Sequence, residues 1–269
     1  MNMKKLALTS LLAFFAVSGA HAANIIDNNP LYRPDSGHFY SVTTLESHTK
    51  TTNLLTLGEE FGYGITPDMA VIIGTSMSQS DWFENSQWGD LSLGINYRML
   101  DINGWQADFM AAYSMSPVWG DHRPFMDESD TMYTWSVGAR GGYVGNGFTI
   151  AGHVMFDYTN SESFNWGDEK SDVYAMTDFE SIHALRLGLD AQLLLNESWN
   201  LIAGVEYHAD LDNWEDGNGY WTGKFGANYN IDETKFIGAF ITKEMHHVND
   251  GEWDVADGFG FGMTFGIDF

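Results

Sequence analysis

Two pairs of histidine and aspartate are spaced so that they could carry acid–base chemistry. His208 and Asp210 are two residues apart, and His153 and Asp157 are four apart, so each pair lies on one face of an extended strand. An imidazole oriented by a carboxylate can activate a hydroxyl or water nucleophile. No serine motif typical of a nucleophile accompanies them, and the serines in similar positions are Ser114 and Ser116. Such pairs are common by chance, so we expect no catalytic residue and keep a hydrolase as the minor alternative.

A second set of charged residues occurs within strand-like segments, alternating with apolar ones. If these segments close into a barrel, the charged side chains face its interior, where they form either a salt-bridged plug or the lining of a wet channel. We predict that the following residues line a pore: Asp90, Arg98, Asp108, Arg140, Asp157, Arg186, Asp190, Glu206 and Lys224.

Twelve strand-like segments, regularly spaced, would position these side chains. The spacing is typical of an all-β barrel, and an even number is what single-chain bacterial barrels use. The segments are His38–His48, Asn53–Ile65, Met69–Ser78, Trp88–Leu100, Trp105–Ser116, Met132–Val144, Phe148–Asn160, His183–Leu195, Asn200–Leu211, Tyr220–Ile231, Lys235–Met245 and Gly258–Phe269.

Apart from the first connection, near Lys50, which is short where a long loop is expected, the connections between these segments alternate between short and long. The short ones are rich in Gly, Asn and Asp, as tight hairpin turns require, and they occupy residues 66–68, 101–104, 145–147, 196–198 and 232–234. The long ones are acidic and occupy residues 79–87, 117–131, 161–182, 212–219 and 246–257. This alternation predicts an antiparallel up-and-down transmembrane barrel with short periplasmic turns and longer extracellular loops.

Each predicted strand has one apolar and one polar row of side chains. In one strand Leu91, Leu93 and Ile95 alternate with Ser92 and Gly94. A soluble sandwich would bury the apolar row, whereas a membrane barrel would expose it to lipid, and a single strand does not distinguish them. The segments at residues 38–48 and 235–245 give no clear assignment of sides.

The first residues indicate export. Lys4 and Lys5 precede a short apolar run that ends in Ala20-His21-Ala22. This is the pattern of a cleaved secretory signal, and the run is shorter than the roughly 20 apolar residues of a membrane-spanning helix. We predict a signal peptide over residues 1–22, removed near Ala22 after Sec-type export. Residues 23–36 then form a periplasmic lead-in, with a plug as the minor alternative, and residues 37–269 form the barrel.

Composition excludes several function classes. The 269-residue chain has no cysteine, which removes disulfides, thiol catalysis and thiolate metal sites. Its formal net charge of −25 argues against a nucleic-acid partner, because such binding depends on basic contacts to phosphate. We expect no cofactor and no dedicated metal site. Divalent cations bridging the acidic loops and lipopolysaccharide are compatible with the charge.

The last segment, Gly258–Phe269, alternates glycine with aromatic and aliphatic residues up to the end of the chain. It resembles the C-terminal strand of outer-membrane β-barrel proteins of Gram-negative bacteria. That resemblance implies that Phe265, Ile267 and Phe269 form the signal read by the barrel-assembly machinery, and that the protein resides in the outer membrane.

Segments such as Gly64–Val71 and Gly89–Arg98 are similar to porin-like transporter barrels. The resemblance implies passive uptake of small solutes, and the acidic excess suggests a preference for cations. The rival hypothesis is a non-conducting structural or surface-interaction barrel. It rests on the Trp-acid motifs of the loops, which could bind sugar, lipopolysaccharide or a partner, or simply form an aromatic girdle. The motifs include Asp81-Trp82, Trp88-Gly89-Asp90, Trp166-Gly167-Asp168 and Trp214-Glu215-Asp216.

Overall fold

The structure is a computed structural model that describes residues 30–49, 51–80, 85–119, 129–162, 181–212, 219–248, 252–255 and 258–269. Within these residues the regular structure is entirely β. No helix in the described part of the chain is both long and apolar enough to cross a membrane. The strands are β1 Phe39–His48, β2 Thr51–Thr66, β3 Met69–Ser80, β4 Asn85–Ile102, β5 Trp105–Trp119, β6 Ser129–Val144, β7 Phe148–Glu162, β8 Ile182–Leu194, β9 Trp199–Asp210, β10 Gly219–Asp232, β11 Lys235–Val248, β12 Glu252–Val255 and β13 Gly260–Asp268.

Twelve of these strands form one closed antiparallel barrel. Each strand from β1 to β11 pairs with the next, and β13 pairs with both β11 and β1. In the described part of the chain, closure gives each of the twelve barrel strands a partner on both sides, which matters because lipid offers the backbone no hydrogen bonds. The predicted fold class, an up-and-down antiparallel barrel of about twelve strands, is confirmed.

The thirteenth strand, β12, falls within the predicted loop at residues 246–257. It pairs with residues 245–248 of β11 and lengthens the wall beyond the barrel itself. Several barrel strands are also longer than their sequence patterns predicted, because backbone pairing continues after the apolar alternation ends. β3 ends at Ser80 and β4 begins at Asn85, for example, so strands take up both ends of the predicted loop at residues 79–87.

The short turns lie where the sequence predicted them. Asn103 and Gly104 connect β4 to β5 with φ angles of 52° and 84°, the left-handed pair that a two-residue hairpin turn requires. Most of the predicted long loops lie outside the described residues. We refer below to the short-turn end and the long-loop end of the barrel.

The apolar rows face outward and the polar rows inward. Leu93, Trp135 and Phe225 are more than half exposed, at 53, 59 and 54%. Asp108 and Arg186, by contrast, are 0 and 3% exposed. An apolar surface that encircles the whole barrel is incompatible with water and matches the lipid-facing band of a membrane barrel.

The structure shows which side chains of β1 and β11 face the interior, an assignment that the sequence pattern left open. In β1, Tyr40 and Val42 point inward, and in β11, Phe236 and Phe240 do so. Large apolar side chains therefore occupy the interior along this part of the wall. This departs from the simple polar-inside rule, which is why alternation alone gave no answer there.

The outer surface of β1 and β2 carries a carboxylate. Glu59 lies between the exposed side chains of Leu57 and Phe61, and it accepts hydrogen bonds from Ser41 Oγ at 2.5 Å and Thr43 Oγ1 at 2.6 Å. These two hydroxyls replace part of the solvation that lipid cannot supply.

Candidate functional site: the charged interior of the barrel

Three of the predicted pore-lining residues form a single cluster near the short-turn end. Arg98, Asp108 and Arg140 are directly opposite one another on β4, β5 and β6. Both arginines donate through Nε to the fully buried Asp108, and the distance from Arg140 Nε to Oδ2 is 2.8 Å. Arg98 also contacts Asp101 at 3.1 Å. One buried carboxylate thus serves two guanidinium groups, each of which has further N–H donors directed elsewhere.

A second ion pair lies closer to the long-loop end. Arg186 Nε and Nη2 both donate to Asp157, at 2.6 and 2.9 Å, and Ser136 Oγ donates to the same carboxylate at 2.5 Å. All three side chains are buried. The planar fork of arginine matches a carboxylate with two parallel hydrogen bonds, so this pair is geometrically strong.

Between these clusters, His153 bridges two carboxylates. Its Nε2 is 2.5 Å from Glu206 Oε2, and its Nδ1 is 3.5 Å from Asp190 Oδ2. The ring crosses the intervening strand at Gly188, where a Cβ would overlap the imidazole. On the other side, His208 Nε2 approaches Glu206 Oε1 to 2.7 Å, an ion-pair distance without hydrogen-bond alignment.

The remaining two predicted residues also face the interior. Lys224 Nζ lies 3.7 Å from the centre of the Phe240 ring, a cation–π arrangement. Asp90 is 6% exposed, and its backbone N–H donates to Ser76 Oγ at 3.1 Å. The nine predicted side chains therefore all lie inside the barrel, distributed over several separate clusters. A small cavity lies beside Lys224 and Asp190, bounded in addition by Gln192, Asn228 and Phe236.

Some interior residues were missed by sequence reasoning. Tyr40 donates to Glu60 at 2.8 Å, and Tyr32 donates to Asp268 Oδ2 at 2.6 Å. Tyr40, Glu60 and Asp268 lie in β1, β2 and β13. Each lies two residues from another inward-facing residue of its strand, and this period of two was the available signal. Tyr32 precedes the first strand and gave no periodic signal.

The histidine–aspartate pairs do not form as the spacing suggested. His153 contacts Glu206 and Asp190 rather than Asp157, which binds Arg186 instead. His208 contacts Glu206 and stacks on Tyr220 with ring centres 4.3 Å apart. His153 therefore finds its partners on β8 and β9, whereas His208 contacts Glu206 of its own strand rather than Asp210.

The three residues of the predicted C-terminal signal form part of the outer surface of β13 and the chain end. Phe265 and Phe269 are 41 and 53% exposed, and Ile267 is partly exposed. The Phe269 ring stacks on Phe39 with centres 4.6 Å apart, and the backbones of these two residues exchange two hydrogen bonds. The end of the chain therefore completes the seam with the first strand.

At the long-loop end, the structure describes only part of the Trp-acid motifs. Trp88 is 57% exposed, as an aromatic girdle would be, while residues 81–84, 163–180 and 213–218 lie outside the described residues. At this rim the backbone N–H of His183 donates to Asp212 at 2.6 Å. That hydrogen bond, together with the nearby imidazole, holds the pKa of Asp212 below its usual value.

Comparison with known proteins places the fold but no family. No family model matches the chain, and no curated protein matches its sequence. Among solved structures, the NanC porin superposes with a TM-score of 0.55 at 10% identity, covering 85% of this chain and 98% of that one. The KdgM porin gives 0.52 at 7% identity, over 86 and 99%. The translocator domain of the autotransporter NalP from Neisseria meningitidis gives 0.56 at 13% identity, over 99 and 97%. The chain thus has the fold shared by outer-membrane porins and related barrels.

Proposed function

We propose that the protein is a narrow passive pore of the outer membrane that admits small solutes and prefers cations. The observation that carries this proposal is the polar, acid-rich interior of a closed barrel. Among the described residues, six acidic side chains and three arginines are buried inside the barrel, and the interior also holds Asp190 and Lys224. Acidic side chains in the interior thus outnumber the arginines and Lys224 by seven to four, which supports a negative lumen. A negative lumen concentrates cations and repels anions.

The similarity to porins supports a conducting barrel without indicating the solute. A KdgM structure is described as a complex with oligogalacturonate, an acidic saccharide. The interior of the present chain favours the opposite charge, so we do not extend that ligand to it. The fold also recurs in the NalP translocator, so conduction has to be tested directly.

The test is single-channel recording with the signal-free protein refolded into planar bilayers under a salt gradient. We expect discrete steps and a reversal potential on the cation-selective side. Asp190→Asn should weaken that selectivity, because Asp190 is not held by an arginine among the described residues. Asp68→Asn, in a turn outside the lumen, is the matched control. Unchanged selectivity in Asp190→Asn would contradict the assignment of this carboxylate to the ion path.

The alternative, a non-conducting structural or surface-interaction barrel, is favoured by the extent of burial inside. Asp108, Ser114 and Asn200 are 0, 0 and 1% exposed, so parts of the interior are tightly packed. A silent bilayer from protein with the heat-modifiable gel migration of a folded barrel would favour this alternative. Its loops would then be the functional surface, with lipopolysaccharide, bridging divalent cations or sugar as ligands.

Two further proposals accompany the leading function. Export removes residues 1–22, and the barrel-assembly machinery recognises Phe265, Ile267 and Phe269. The outward row that these three residues form on the closing strand supports this role. Mass measurement of the mature protein from the outer membrane tests the cleavage near Ala22.

A further inference from the structure

Residues 30–36, which we call the strap, enter the interior of the barrel at the short-turn end. Leu31 and Tyr32 are 0 and 7% exposed, and Pro34 is fully buried. A segment outside the barrel, in the periplasm, would have these side chains in water. The strap therefore occupies space in the lumen that would otherwise be open to solute.

The two arginines of the short-turn cluster hold the strap by its backbone. Arg98 Nη2 donates to the carbonyl of Leu31 at 2.7 Å, and Arg140 Nη2 donates to that of Tyr32 at 2.9 Å. Each guanidinium thus uses one edge for Asp108 and another for the strap. Hydrogen bonds from a charged donor are stronger than neutral ones, so the attachment is specific.

Apolar and polar contacts fix the Tyr32 side chain against the opposite wall. Its ring packs edge-on to Tyr40, with centres 5.7 Å apart, in a buried cluster with Val42 and Phe236. Its hydroxyl donates to Asp268. The arginines lie on β4 and β6, whereas Tyr40 and Asp268 lie on β1 and β13, so the strap spans the lumen from one side to the other.

The C-terminal end of the strap packs closely against β2. The Gly37 N–H donates to the Gly64 carbonyl at 2.8 Å, and Ser36 forms a parallel bridge with Gly64. A Cβ at Gly64 would overlap the carbonyl oxygen of Asp35. Glycine is therefore required here by the close approach of the strap rather than by its own backbone angles.

We propose that the strap is the constriction of the pore and that its release opens the short-turn end. This inference rests on the proposed function, because it assigns the narrowest part of the same ion path. Release would have two effects. The lumen would widen, and Arg98 and Arg140 would exchange strap carbonyls for water or anions. Release is therefore expected to raise conductance and to weaken cation preference together, because a wider lumen screens its wall charges better and the two uncovered arginines repel cations.

The experiment compares two glycine substitutions in planar bilayers. Gly64→Ala should displace the strap without removing any polar group. Gly94→Ala, inside the barrel on β4, is the matched control, because its Cβ would have only ordinary contacts at 3.5 Å or more. We expect Gly64→Ala to raise unit conductance about twofold or more and to shift the reversal potential toward zero, since the narrowest section limits flux. Gly94→Ala should match the unsubstituted protein.

A labelling measurement reports the position of the strap independently of current. The chain has no cysteine, so Leu31→Cys introduces a single thiol at a fully buried position. A water-soluble thiol reagent should label it slowly in the otherwise native barrel and rapidly when Gly64→Ala is added. A second variant that lacks residues 23–35 covers the case in which Gly64→Ala fails to fold, and it should conduct as the released form does.

The outcomes separate the two proposals. If the native barrel conducts but the released forms have the same conductance and selectivity, the strap is not the constriction and the pore stands. If native and strap-deleted barrels are both folded and silent, the pore fails and this inference fails with it. If only the strap-deleted barrel conducts, the strap closes the lumen, so the constriction stands and the proposed passive pore of the native protein fails.

Discussion

The hydroxyl of Tyr32 donates a 2.6 Å hydrogen bond to Asp268, joining two residues 236 positions apart. One lies before the first strand and the other at the end of the last strand. The bond therefore ties the strap to the seam at which the barrel closes, and both side chains are buried.

Tyr32→Phe should destabilise the barrel by about 1.5–3 kcal/mol, the usual range for a buried hydrogen bond to a charged group. The measurement is urea unfolding of the barrel in phospholipid vesicles, followed by tryptophan fluorescence. Tyr63→Phe is the control, because Tyr63 is 48% exposed on the outer surface. Equal stability of the two variants would show that Tyr32 contributes only through its ring.

Removing one partner of the Asp157–Arg186 pair should be costly. Arg186→Met leaves a buried carboxylate without its bidentate partner, and about 3–5 kcal/mol of unfolding free energy should be lost. The double variant Arg186→Met, Asp157→Leu should recover most of that loss, because neither charge of the pair remains. A double-mutant cycle by urea unfolding measures the coupling, and additive losses would contradict a direct interaction.

Glu59 should reduce the stability of the barrel in lipid. Charged groups on the lipid face are unfavourable, acidic ones less so than basic ones, so Glu59→Leu should stabilise by about 1 kcal/mol in vesicles. Glu60→Leu is the matched comparison on the inner face and should destabilise, because it removes the partner of Tyr40. If Glu59→Leu lowers the unfolding free energy instead, the hydroxyls of Ser41 and Thr43 compensate the carboxylate fully.

Phe269→Ala tests the assembly role of the chain end. In vitro refolding should change little beyond the loss of stacking on Phe39, about 0.5–1.5 kcal/mol. In cells, the amount of folded, heat-modifiable barrel in the outer membrane should fall severalfold if the terminal aromatic is read by the assembly machinery. Phe261→Ala, also exposed on β13, is the control. An equal loss of folded protein in both variants would argue against recognition of the last residue.

Much of the barrel was predictable because its signals are local. Period-two alternation assigns faces within a strand, and Gly-, Asn- and Asp-rich turns mark its ends, as at Asn103 and Gly104. The inward placement of charges such as Asp108 and Arg186 follows from the same alternation. Alternation does not assign the faces of β1 and β11, where Tyr40 and Phe236 face inward to pack with Tyr32. The inward orientation of Tyr40 and Phe236 goes with their packing against the strap, which has no periodic pattern of its own.

An up-and-down barrel with a charged interior could be predicted from the amino-acid sequence, since turn spacing and alternation are local patterns. Which charges meet could not, because that depends on the closed fold. His153 contacts Glu206 on a strand that is not its neighbour, and two arginines share Asp108 while binding the strap. Such partnerships depend on strand register and on the reach of long side chains across the lumen, which are set when the barrel closes.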